Sequence, residues 1–227
     1  TFDYPSHGET CGDGIDRYKI NGVAALASHV ALSTRPAKDR PLLLAGWSTG
    51  GLLAVRMLQA PQIGPLGRPV AGAFLLAPGV DVRLAVGDKQ RVTLETLTSD
   101  PDPPHRGEIT PKSPLSTPVF ATDLILNSRI SRRDPFPKNV PTFVVTGGEH
   151  SDVYVDTAGV KDWVKAREKE GARVYGLGCA GGRHELDNES APIRDAVRAS
   201  AASFATWVLG DTAGKPAVPE SAACSPY

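Results

Sequence analysis

Residues 42–54 read Leu-Leu-Leu-Ala-Gly-Trp-Ser-Thr-Gly-Gly-Leu-Leu-Ala. A short apolar run, a Gly-x-Ser-x-Gly pattern and a second apolar run are how a buried strand, a very tight turn and a packed helix look in sequence. Gly46 and Gly50 lack a Cβ where the strand and helix backbones must approach. Ser48 between them can therefore be held in a strained conformation with its side chain pushed outward. By itself the pattern also fits a strand-turn-helix with an incidental serine.

The rest of the chain supplies a setting for that turn. Ile20, Val23, Leu26, Ala27 and Val30 fall near helical spacing and predict an amphipathic helix over 16–32. The run 70–77, Val-Ala-Gly-Ala-Phe-Leu-Leu-Ala, is a second buried strand stopped by Pro78-Gly79. Two apolar strands joined through a helix predict a parallel sheet with a helix on its face. From 79 to 139 prolines and charges crowd in and the helical pattern breaks, so this stretch reads as an insertion of the kind that carries a lid or binding surface. Regularity returns with a strand at 140–146 and a helix that Asp156 could cap, with Val160, Trp163 and Val164 on its inner face. A weaker strand follows at 172–177. A last helix starts near Ser190 and Pro192, turns Ile193, Val197, Phe204 and Val208 inward, and stops at Gly210. The expected organisation is a core of 1–78 and 140–210, a cap of 79–139 and a loose tail of 211–227.

Composition removes several function classes. Lys plus Arg and Asp plus Glu balance at 25 each, so no global field draws the chain to nucleic acid or an anionic membrane. No run approaches the roughly 20 apolar residues of a membrane span. Cys11, Cys179 and Cys224 are too few and too scattered for a disulfide framework or a structural zinc site, and the default compartment is a reducing one, the cytoplasm. No metal and no cofactor is expected: there is no phosphate-cradling glycine loop, and His184-Glu185 does not continue to a second histidine at zinc-protease spacing.

A serine hydroxyl is a poor nucleophile unless a base lies within hydrogen-bond reach and an acceptor holds that base in the right tautomer. Three candidates follow successive strands in the order serine, acid, histidine. Ser48 follows the strand at 42–46, an acidic cluster of Glu149, Asp152 and Asp156 follows the strand at 140–146, and His184 lies in a glycine-rich loop before the last helix. Asp152 is the preferred acid because Val153-Tyr154-Val155 would anchor its loop. Glu149 is the alternative, and Asp156 is better explained as a helix cap. Glu185, Asp187 and Glu189 follow His184 closely, which assigns them local hydrogen bonding. The Thr49 amide opens the helix after Ser48 and points where an oxyanion would form. A competing nucleophile is Thr1, whose free amine could serve as its base.

On these residues the chain resembles the α/β-hydrolase superfamily, specifically its bacterial lysophospholipase and monoacylglycerol lipase branch. Asp3-Tyr4-Pro5-Ser6-His7-Gly8-Glu9-Thr10 is similar to the family's Asp-x-x-Gly-His-Gly-x-Ser turn, and Gly46-Trp47-Ser48-Thr49-Gly50-Gly51 to its Gly-His-Ser-Met-Gly-Gly elbow. Leu97-Thr98-Ser99-Asp100-Pro101 resembles the start of its cap, and Gly182-Arg183-His184-Glu185 its histidine loop. The likeness runs over nearly all of 1–210 and implies a mostly parallel central sheet flanked by helices with an inserted cap. It also implies a Ser-His-Asp esterase acting on a lysophospholipid, monoacylglycerol or similar hydrophobic ester through an acyl-enzyme. A peptidase or amidase on the same fold and a non-catalytic binding module are the alternatives. Two departures stand out. The family's acid loop runs Gly-x-x-Asp, whereas Gly148-Glu149-His150-Ser151-Asp152 is one residue longer. The family's first strands, with the loop that supplies a second oxyanion donor, would lie before Thr1. The expectation is therefore of a larger protein whose N-terminal segment is missing here or is a separate, cleaved chain.

Overall fold

The computed structural model describes residues 3–5, 7, 9–33, 40–83, 92–103, 118–210, 214–218 and 220–227. Five strands form one sheet in the order of the chain: β1 (Leu42–Trp47), β2 (Val70–Leu76), β3 (Thr142–Thr146), β4 (Val174–Cys179) and β5 (Cys224–Pro226). The first three pairings are parallel and the last is antiparallel. The helices are α1 (Ile20–Ser33), α2 (Thr49–Gln59), a single turn α3 (Leu94–Leu97), α4 (Pro118–Arg133), α5 (Thr157–Lys169) and α6 (Ala191–Leu209). No described helix is long and apolar enough to cross a membrane.

The central strands β2 and β3 bury both faces, as parallel strands covered by helices must. On one face Leu75 and Val144 pack with Leu52 and Val55 of α2 and with Val160 and Trp163 of α5. On the other, Phe74, Phe143 and Leu177 pack with Val197 and Phe204 of α6. The period-2 alternation of the strand residues divides them between the two layers. Asp156 caps α5 by accepting from Gly159 N–H at 3.5 Å.

Four sequence expectations change. The first helix starts at Ile20, not near Asp16, because Asp16 accepts the Phe120 N–H at 2.9 Å while Asp123 of α4 accepts the Ile20 N–H at 2.7 Å. Helical order does not break throughout 79–139: α4 is regular and joins the core beside α1 and α2, with Arg56 of α2 bonded to Asp134 at 2.7 Å. Residues 84–91 and 104–117 of the expected cap lie outside the described residues. The tail is not loose at its end. β5 pairs with β4, and Cys224 is disulfide-bonded to Cys179. That pair was illegible as two cysteines 45 residues apart, because sequence separation does not report which strands become neighbours.

Candidate active site

The β1–α2 junction is as tight as its glycines predict. A Cβ on Gly46 would stand 2.5 Å from the Gly50 carbonyl oxygen, and one on Gly51 would meet the Pro78 Cα at 2.9 Å. Gly50 itself has room for a side chain, so the constraint there is the approach of its backbone to Gly46. Ser48 takes φ 53°, in the left-handed region that costs a non-glycine residue of order 1–3 kcal/mol. Its backbone is pinned in that state. Ser48 N–H donates to Leu76 at 2.9 Å, and its carbonyl accepts from Gly79 and Leu52 at 2.9 and 3.1 Å.

Three of the side chains singled out in the sequence meet in a line. The Ser48 hydroxyl lies 2.8 Å from Nε2 of His184, and Nδ1 of His184 lies 3.0 and 3.1 Å from the two carboxylate oxygens of Asp152. Asp152 is fully buried and His184 is 3% exposed. One Asp152 oxygen also accepts the N–H groups of Tyr154 and Val155 at 2.9 and 3.0 Å, which fixes the carboxylate in place. A charged acceptor at Nδ1 leaves Nε2 as the nitrogen able to take a proton from Ser48. Thr49 is the first residue of α2, so its N–H is among those without an acceptor in the helix.

The fold has counterparts among solved structures. A monoacylglycerol lipase from Paleococcus ferrophilus is 14% identical, superposes with a TM-score of 0.67, and covers 92% of this chain and 81% of its own. A carboxyl esterase from Bacillus coagulans in complex with glycerol is 18% identical, with a TM-score of 0.60 over 85% of this chain and 73% of its own. The chain has the α/β-hydrolase fold. Esterase 2 of Thermogutta terrifontis, phosphonylated by sarin, is 14% identical with a TM-score of 0.55 over 88% of this chain and 70% of its own. No protein-family model matches the sequence, and no curated protein matches it.

Within the α/β-hydrolase fold the two carboxylate candidates part. Asp152 reaches His184. Glu149 is exposed and pairs with Lys161 at 3.2 Å. The longer acid loop is absorbed in a turn, in which Ser151 and Asp152 both donate to the Gly148 carbonyl at 3.1 and 3.2 Å. His7, His29 and His150 are exposed, while His105 and Thr1 lie outside the described residues. Among the described residues no cluster of His, Cys, Asp and Glu could hold a metal ion.

Two aromatic residues that sequence reasoning did not single out flank the histidine. Trp47, in the variable position before Ser48, donates its indole N–H to the His184 carbonyl at 2.8 Å and lies 5.3 Å from the imidazole, centroid to centroid. Tyr154 lies 4.8 Å from the imidazole, centroid to centroid, and its hydroxyl meets Thr96 at 2.7 Å. Burial pushes the Tyr154 phenol above its ordinary range, a shift the Thr96 hydroxyl opposes and the nearby Asp152 charge adds to. A large residue at the x of Gly-x-Ser-x-Gly was the available signal for Trp47. Nothing local to Tyr154 gave one.

Proposed function

We propose that this chain is a serine hydrolase of carboxylic esters, with Ser48 as nucleophile, His184 as general base and acid, and Asp152 as the group that orients His184. The observation that carries the reading is the unbroken chain from Ser48 Oγ to Nε2 at 2.8 Å and from Nδ1 to a buried carboxylate at 3.0 Å. As Ser48 Oγ attacks the ester carbonyl, Nε2 takes its proton and Asp152 stabilises the imidazolium. The Thr49 N–H faces the oxyanion. Collapse of the tetrahedral species expels the alcohol with the proton from His184. Water then repeats the sequence on the acyl-serine. The substrate class is a hydrophobic ester such as a monoacylglycerol or lysophospholipid, in keeping with the lipase and esterases that share the fold.

The same reading gives β1 a partner. Its outer edge is unpaired among the described residues although the strand is entirely apolar, with Ala45 and Trp47 exposed. An apolar open edge is a template for another strand. A segment of the same protein, continuous or separately cleaved, fits it. The Cys179–Cys224 bond favours an oxidising compartment over the cytoplasm.

The experiment is Ser48→Ala with p-nitrophenyl esters of graded chain length. Turnover should fall about 10⁴-fold or more with the melting temperature unchanged. Substantial remaining turnover contradicts the mechanism.

A further inference from the structure

Glu189 is fully buried, and no ion pair to it is found among the described residues. Four donors surround its carboxylate instead. One oxygen accepts the N–H groups of Arg183 and Ser99, each at 2.9 Å, and the other accepts the Ser190 N–H at 2.9 Å and the Ser99 hydroxyl. A buried carboxylate is costly unless its lone pairs are filled in this way, and removing it strands the donors that fill them. Two of those donors belong to Ser99, 90 residues away in sequence, and one to the residue just before His184.

The surrounding bonds share one geometry. The Arg183 guanidinium donates to the carbonyls of Thr98, at 3.0 Å, and Glu95. The Glu185 N–H donates to the Leu97 carbonyl at 2.7 Å, and the Thr98 hydroxyl donates to Asn188 at 2.8 Å. The His184 carbonyl accepts from Trp47. The Gly182–Arg183 peptide plane is thus held by Glu189 and by the Gly148 N–H, and the His184–Glu185 plane by Trp47 and Leu97, so the glycine-rich loop that carries His184 is held in one setting.

We propose that Glu189 is a positioning residue for the reaction: it locks the His184 loop to the segment 94–99, and so aims the imidazole at Ser48. The inference rests on the serine-hydrolase reading above. It goes beyond it by assigning the aim of the base to a carboxylate that never touches the reacting atoms. The isosteric change Glu189→Gln turns one acceptor into an N–H₂ group facing two donors, so it releases the loop without emptying the core.

The test compares the parent with Glu189→Gln and Ser99→Ala. Two readouts are used: the downfield proton resonance of His184 Nδ1–H, and turnover of p-nitrophenyl butyrate per Ser48 titrated with a fluorophosphonate. In Glu189→Gln the resonance should move or vanish, and kcat per titrated serine should fall about 10²-fold with KM within about twofold, as expected of a misaimed base. Ser99→Ala should move both readouts in the same direction by less, and it carries the test if Glu189→Gln does not fold. A resonance at the parent position with turnover per titrated serine within about twofold of the parent overturns the proposal. If the parent neither labels nor turns over, the hydrolase reading fails, and the resonance comparison still decides whether Glu189 sets the histidine.

Discussion

Beyond β4 the sheet continues into β5, whose Cys224 is bonded to Cys179. The adjoining Tyr227 packs so closely on β4 that a Cβ on Gly176 would collide with its ring. Burial pushes the Tyr227 phenol far above its usual range, so the ring stays neutral. Beyond β1 no described strand follows. The site spans this asymmetry: Ser48 follows β1, the strand with the open edge, whereas Asp152 and His184 follow β3 and β4, which lie toward the closed one. His184 and Asp152 are thus held within a covered, cross-linked flank. The serine depends on the backbone contact between Gly46 and Gly50 beside that edge.

Substitutions on the two flanks separate these dependencies. The largest effect is expected from Asp152→Asn, which keeps an acceptor for Tyr154 and Val155 but loses the charge that selects the histidine tautomer. Turnover should fall about 10⁴-fold with little change in thermal midpoint. A steady-state rate near the parent's would remove the acid from the mechanism. Next comes Cys224→Ser. Opening a bond between residues 45 apart should cost about 4 kcal/mol in urea unfolding by chain entropy. An unmoved midpoint would show that the β4 flank does not need its cross-link. Gly176→Ala should cost about 1–3 kcal/mol through overpacking on Tyr227. In the double variant with Tyr227→Ala the cost should shrink, and strict additivity would deny the contact. Smallest is Ala45→Lys on exposed β1, expected within about 0.5 kcal/mol for this chain by itself. A much larger loss in the presence of a co-purifying segment would mark that surface as covered.

What could be read in the sequence follows the range of the interaction. Strands β1 to β4, α2, α5 and α6 were legible because each buries an apolar set, and the elbow because Gly46 and Gly50 answer a contact four residues apart. Ser48 and His184 could be placed by strand order alone. The choice of Asp152 over Glu149 rested on its apolar continuation, and the turn closing on the Gly148 carbonyl, which faces Asp152 inward, could not be read. Non-local bonds left no trace. Glu189 read as local hydrogen bonding, and its bond to Ser99 exists only once the fold brings 94–99 to the histidine loop. The start of α1 at Ile20 depends in the same way on Asp123, a residue of another helix. The Cys179–Cys224 bond needs the chain end to return as a strand.

The most direct test of the account is intact-mass and peptide-level detection of a fluorophosphonate adduct on the purified native protein. The account predicts one adduct per chain, on Ser48, absent in Ser48→Ala and formed far more slowly in Asp152→Asn. A folded protein that leaves Ser48 unlabelled, or that hydrolyses esters while labelled elsewhere, would contradict it.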